Sequence, residues 1–248
     1  MTFYMGFFTA FALATIRATV FLVFCPPFNN RALTGRVKAM LGAAMGLGCM
    51  TRVEPVFHSD TFIFEVVIQG FIGFSMALMV RVMITALQMA GSMIDLEGGF
   101  AMAQTFDPLT LNNQATFGRI YEISTLTMLF ATNAYQLLIL GLARSFTALP
   151  VGMMFDINNY AERLVFRFGE LMVSALEIAG PLLLVLVLTD MGLGLLTKVA
   201  PAMNAFTLGF PMKILMTIFL VPTLMVVVPQ LVTKIVDQAL QSLSGVML

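Results

Sequence analysis

The sequence predicts an all-α integral membrane protein of kinked and broken helices, and three observations predict it. Of 248 residues, 59% are hydrophobic and only 10% charged, whereas soluble domains sit nearer about 45–50% apolar and about 25% charged. Apolar stretches of helical length recur along the chain, punctuated by proline, glycine and short polar clusters. Lys plus Arg equals Asp plus Glu at 13 each, so no basic surplus points to a nucleic-acid partner.

Taken in order, Phe3 to Cys25 reads as a first helix interrupted by Arg17 and ended by Pro26-Pro27. It has no basic leader or cleavage pattern, so it is expected to be retained rather than removed as a signal peptide. A polar, basic connector then leads to Ala39–Met50, too short to span comfortably, since a bilayer takes about 20 residues. Gly42 and Gly46 lie four apart in it, a spacing that lets helix backbones approach closely. After a polar break at Arg52–Asp60, Thr61 to Glu97 is one long helical pattern containing Glu65 and Arg81.

The pattern then fails. Gly98-Gly99 costs a helix roughly 1 kcal/mol per residue, and Pro108 biases Asp107 away from helical angles. The helix is therefore expected to stop near Glu97, followed by an irregular segment over about 98–112. Its small and apolar residues suit a protein interior or a cavity wall, because irregular backbone cannot face lipid. Asn113 is the expected N-cap of the next helix, which runs to about Leu142 with Arg119 and Glu122 in its first turns. Arg144–Asn159 reads as a connector, Ala161–Leu188 as a helix, and Asp190–Pro201 as a break. The last helix is expected from near Asn204 to the C-terminal end, kinked at Pro211, Pro222 and Pro229. No repeat or linker divides the chain, which reads as a single domain over residues 1–248.

Only two charge-free runs reach spanning length, Ile123–Ala143 and Ile214–Thr233. Every other long apolar segment carries an ionisable residue, costing roughly 2.5–3.5 kcal/mol at a helix centre in lipid. Such charges are easier to place against protein, so the pattern hints at a subunit buried in an assembly. There are also 21 methionines and no tryptophan; methionine suits core filling and, alternatively, adaptable contact surfaces.

Candidate chemistry is thin. Cys25 and Cys49 are widely spaced and His58 is the one histidine, which fits neither a disulfide framework nor a metal site. Asp95 and Glu97, at i and i+2, point about 200° apart on a helix and cannot form a carboxylate pair. They are expected to make polar contacts at a helix terminus or ion pairs to another subunit. No nucleotide loop is present. No catalytic residue, cofactor or metal is expected.

Several residues resemble the FliR family of flagellar type III export proteins, whose injectisome counterpart (SctT type) is the nearest competitor. Ala90-Gly91, Ile94-Asp95, Gly99-Phe100, Ala101, Ala103 and Phe106-Asp107-Pro108 carry the likeness. It continues at Ser145-Phe146 and Pro150-Val151-Gly152. It is clear again over Pro181, Asp190, Gly194, Pro201, Asn204, Phe206, Gly209, Pro211 and Lys213. Glu97, Tyr135, Lys198 and Ala202 depart from the family pattern.

The resemblance implies a non-enzymatic, pore-forming subunit of an export gate in the bacterial inner membrane, at the flagellar basal body. It implies assembly with FliP and FliQ into a helical channel complex, association with FlhB and FlhA, contact with membrane lipid, and passage of unfolded flagellar proteins. It further implies a plug loop over about 98–114 that closes the channel. In this chain that loop holds Gly98, Gly99, Phe100, Met102, Gln104, Thr105, Phe106, Asp107, Pro108, Leu109, Leu111, Asn112 and Asn113. Asp95, Glu97, Arg81, Arg119 and Glu122 are its expected polar and ionic supports. The other reading left open by the residues is a secondary transporter with a small-solute site at broken helices near the midplane.

Overall fold

Apolar residues fill long helices and leave little for anything else. A computed structural model describes residues 2–29, 33–49, 62–100, 115–150, 157–199, 205–226 and 229. Among them are seven α-helices and no strand: α1 (Thr2–Phe24), α2 (Gly35–Cys49), α3 (Phe62–Glu97), α4 (Thr116–Ala131), α5 (Ala134–Ala148), α6 (Ile157–Val199) and α7 (Ala205–Met225). Three segments are long and apolar enough to cross a membrane: Gly6–Phe24, Phe62–Glu97 and Ala179–Leu196; α4 and α5 make a fourth if they count as one broken span. At about 1.5 Å per residue, the 36-residue α3 is about 54 Å long, well beyond a hydrocarbon core of about 30 Å.

The chain forms two compact units, each drawn from separate stretches of sequence. The first comprises residues 1–83, 133–169 and 233–248, the second residues 84–132 and 170–232. In the first, Leu13, Phe21, Ile72, Met76, Leu142 and Phe146 are buried together with Arg17. Helices α1 and α2 pack backbone to backbone: a Cβ at Gly46 would lie 2.9 Å from Thr15 Cα, and one at Gly42 would lie 2.9 Å from Thr19 Cα. The four-residue glycine spacing therefore serves the close approach its pattern predicts. In the second unit, Leu87, Ile94, Phe117, Tyr121 and Leu129 are buried.

Several boundaries differ from the sequence expectation. The long third helix ends at Glu97 as expected. The helix expected from Asn113 to Leu142 instead starts at Thr116, with Ala115 at the N-cap position and no side-chain cap of its own. It also breaks in two: Asn133 sits in the left-handed region at φ 57°, which asparagine tolerates better than most residues. The charge-free run 123–143 is thus two helices. The expected connector at Arg144–Asn159 is shorter, because α5 continues to Ala148 and α6 begins at Ile157.

The break expected at Asp190 does not occur, since α6 runs unbroken through Pro181 and Asp190 to Val199. Proline removes one hydrogen bond and crowds the preceding turn, yet apolar membrane helices tolerate it. On this unbroken helix the Asp190 carboxylate meets Lys213 Nζ of α7 at 2.7 Å. Helix α7 likewise continues through Pro211 and Pro222.

Candidate functional site

The place where α3 stops is built around one carboxylate. Gly98 N–H still donates to Ile94 O at 2.8 Å, and Gly99 then turns left-handed at φ 83°. A glycine in that conformation just past a helix end is a common C-terminal stop, because no Cβ opposes it. Gly98 has a second reason to lack a side chain: a Cβ there would lie 2.6 Å from Thr217 Oγ1 of α7.

Asp95, one turn earlier, is 1% exposed. Its Oδ2 accepts from Phe117 N–H at 2.8 Å and from Gly118 N–H at 3.1 Å. These are the second and third residues of α4, whose amides have no partner within the helix. Ala115 offers no side-chain oxygen, so Asp95 supplies the cap from another helix, where the positive end of the α4 dipole favours a carboxylate. Asp95 Oδ1 is buried without a hydrogen-bond partner.

The packing around this bond is backbone on backbone. A Cβ at Gly91 would lie 2.6 Å from Phe117 O, and one at Gly118 would lie 2.7 Å from Ser92 Oγ. Phe100 meets Phe117 edge to face, with ring centroids 5.0 Å apart. The residues that precede and follow segment 101–114 are thereby fastened to each other.

The other expected supports are placed differently. Glu97 is half-buried and Arg81 exposed. Arg119 and Glu122 pair with each other at 2.8 Å across an exposed i,i+3 step. Of the expected loop, Gly98, Gly99 and Phe100 are described. Met102, Gln104, Thr105, Phe106, Asp107, Pro108, Leu109, Leu111, Asn112 and Asn113 lie outside the described residues.

Sequence reasoning missed a second buried charge network, around Arg17 in the first unit. Arg17 is fully buried. Its Nε donates to Gln69 Oε1 at 2.7 Å, and its two terminal nitrogens donate to Ser145 O and Leu149 O, each at 2.9 Å. One of them also reaches Ser145 Oγ at 3.2 Å, and the guanidinium lies 4.4 Å from the Phe146 ring centre. Cationic donors thus occupy the carbonyl end of α5, where the helix dipole is negative. A lone arginine in an apolar helix reads simply as a cost; only its partners, up to 132 residues away, reveal a cap.

A profile described as "Bacterial export proteins, family 1" matches residues 8–239. The chain belongs to this family. Among similar proteins, the "Flagellar biosynthetic protein FliR" of Bacillus subtilis strain 168 is 25% identical over 246 residues, covering 97% of this chain and 95% of that protein. The protein of that name from Escherichia coli K12 is 28% identical over 215 residues, covering 85% and 82%. The "Yop proteins translocation protein T" of Yersinia pestis is 26% identical over 164 residues, covering 64% and 63%. The resemblance read from residues between Ala90 and Lys213 therefore extends over nearly the whole chain.

Proposed function

We propose that this chain is a pore-forming subunit of the flagellar type III protein export gate, acting as one functional domain over residues 1–248, whose segment 98–114 plugs the channel at rest. Membership of the export family and similarity to FliR proteins over most of the chain support an export-apparatus component. The observation that carries the plug reading is the interruption itself. A long apolar helix stops at Gly98-Gly99, and its end is fastened by Asp95 to the start of the next helix. A segment held at both ends beside a buried junction can be displaced without unwinding its flanking helices. On this reading the partners are FliP and FliQ in a hetero-oligomeric core, then FlhB and FlhA, in the inner membrane at the basal body. Unfolded flagellar proteins are the cargo.

Deleting residues 104–112 tests the plug. The assembled complex, reconstituted in vesicles, is expected to leak small ions at rest; normal assembly with an intact seal would sink the idea. Co-purification in mild detergent followed by intact mass measurement tests the subunit role, and a lone species of about 27 kDa would count against it.

A secondary transporter would place a solute at broken helices near the midplane. The one break seen between described helices, Thr132–Asn133, is exposed and carries no ionisable side chain. It is poorly made for binding a solute. Solute uptake by the purified chain alone would restore that reading.

A further inference from the structure

Resting on the plug reading, we infer that Asp95 is a positioning residue that keeps the α3–α4 junction closed while the channel is open as well as while it is shut. Two features of the second unit carry this. The first is the absence of slack. Helix α3 meets the first turn of α4 at Gly91 and Ser92, where even a methyl group would collide with Phe117 O or Ser92 Oγ. Parting the helices would therefore expose a buried backbone contact rather than slide one side chain past another.

The second is how the carboxylate is used. Both hydrogen bonds fall on Oδ2, from Phe117 N–H at 2.8 Å and Gly118 N–H at 3.1 Å, and Oδ1 has no partner. Opening the junction would strip a buried carboxylate of both donors and leave two helix-start amides without an acceptor. The left-handed Gly99 lies beyond Asp95, so a change of direction there gives up the Phe100–Phe117 ring contact but leaves both Asp95 hydrogen bonds intact. Helix α4 needs an acceptor there as well, because Ala115 cannot cap it.

This use of one oxygen predicts an unusual tolerance. In Asp95→Asn the amide oxygen can replace Oδ2 and accept both bonds, while the NH2 group takes the place of an oxygen that already has no partner. Asp95→Ala has no acceptor at all. The inference is that the acceptor matters more than the negative charge.

Three measurements on the assembled complex test it. Amide exchange at Phe117 and Gly118 is expected to be slow in the parent and in Asp95→Asn, and faster by about tenfold or more in Asp95→Ala. Equal exchange in all three would overturn the inference, whatever the fate of the plug reading. In vesicles, Asp95→Ala is expected to leak ions and Asp95→Asn to stay sealed; an equal leak from both, or none from either, would overturn it. Finally, amide exchange at Phe117 and Gly118 is compared between complexes at rest and complexes held open by a stalled unfolded substrate. Equal protection in the two states is expected. Exchange that speeds up by about tenfold or more in the open state would show that the junction must part. The plug reading stands or falls separately, on the 104–112 deletion.

Discussion

The least exposed charge described in each unit of this export protein, Arg17 in the first and Asp95 in the second, caps a helix, and the two are used in opposite senses. In the first unit Arg17 donates to an amide oxygen, a hydroxyl and two carbonyls, and lies against the Phe146 ring. In the second unit Asp95 accepts from two backbone amides. Arg17 serves the carbonyl end of α5 and Asp95 the amide end of α4, so each charge matches the sign of the dipole it faces. The helices are short, at 16 and 15 residues, and short helices depend more on how their ends are satisfied. The lesson is that a charge in an apolar helix can be the missing cap of a helix elsewhere.

The two networks differ in how much they hold. The most damaging single change is expected to be Arg17→Met. It leaves Gln69 Oε1 and Leu149 O without this donor and takes one of two donors from Ser145 O, a loss of about 3–5 kcal/mol. Thermal unfolding in detergent checks this, with Arg17→Lys recovering only part because a single ammonium cannot span the fork of acceptors. If Arg17→Met unfolds at the parent temperature, the first unit does not rest on this network.

Next come the backbone contacts beside each charge. A Cβ at Gly73 would land on Arg17 O, as one at Gly91 would on Phe117 O, whereas Gly70 has open space around its Cβ position. Gly73→Ala and Gly91→Ala are each expected to destabilise by about 1–3 kcal/mol. Gly70→Ala is expected to stabilise by roughly 0.5–1 kcal/mol through helix propensity alone. Equal melting shifts for all three would remove close approach as a feature that the two units share.

The smallest effects are expected at the exposed ion pairs. Lys213→Ala removes the bridge to the half-exposed Asp190 and should cost no more than about 1 kcal/mol. Arg119→Ala breaks an exposed i,i+3 pair and should cost below about 0.5 kcal/mol. Denaturant titration against Asp95→Ala would show whether buried placement, rather than charge itself, sets the scale; parity between Arg119→Ala and Asp95→Ala would contradict it.

Much of the fold could be read directly. The composition requires apolar helices, Pro26-Pro27 closes the first, and Gly98-Gly99 stops the third at Glu97. These are local facts, settled by propensity and backbone freedom within a few residues. Less visible was the split at Asn133, where a left-handed residue interrupts a run whose hydropathy is continuous. Equally hidden was the persistence of α6 past Asp190, whose carboxylate meets Lys213 of α7.

By itself, then, the sequence determined the helical class, the main stops and the family likeness, because each is carried by neighbouring residues. Only the tertiary structure decided what Arg17 and Asp95 are for. Their partners lie 22 to 132 residues away, and a cap supplied from another helix leaves no mark on the sequence of the helix it caps.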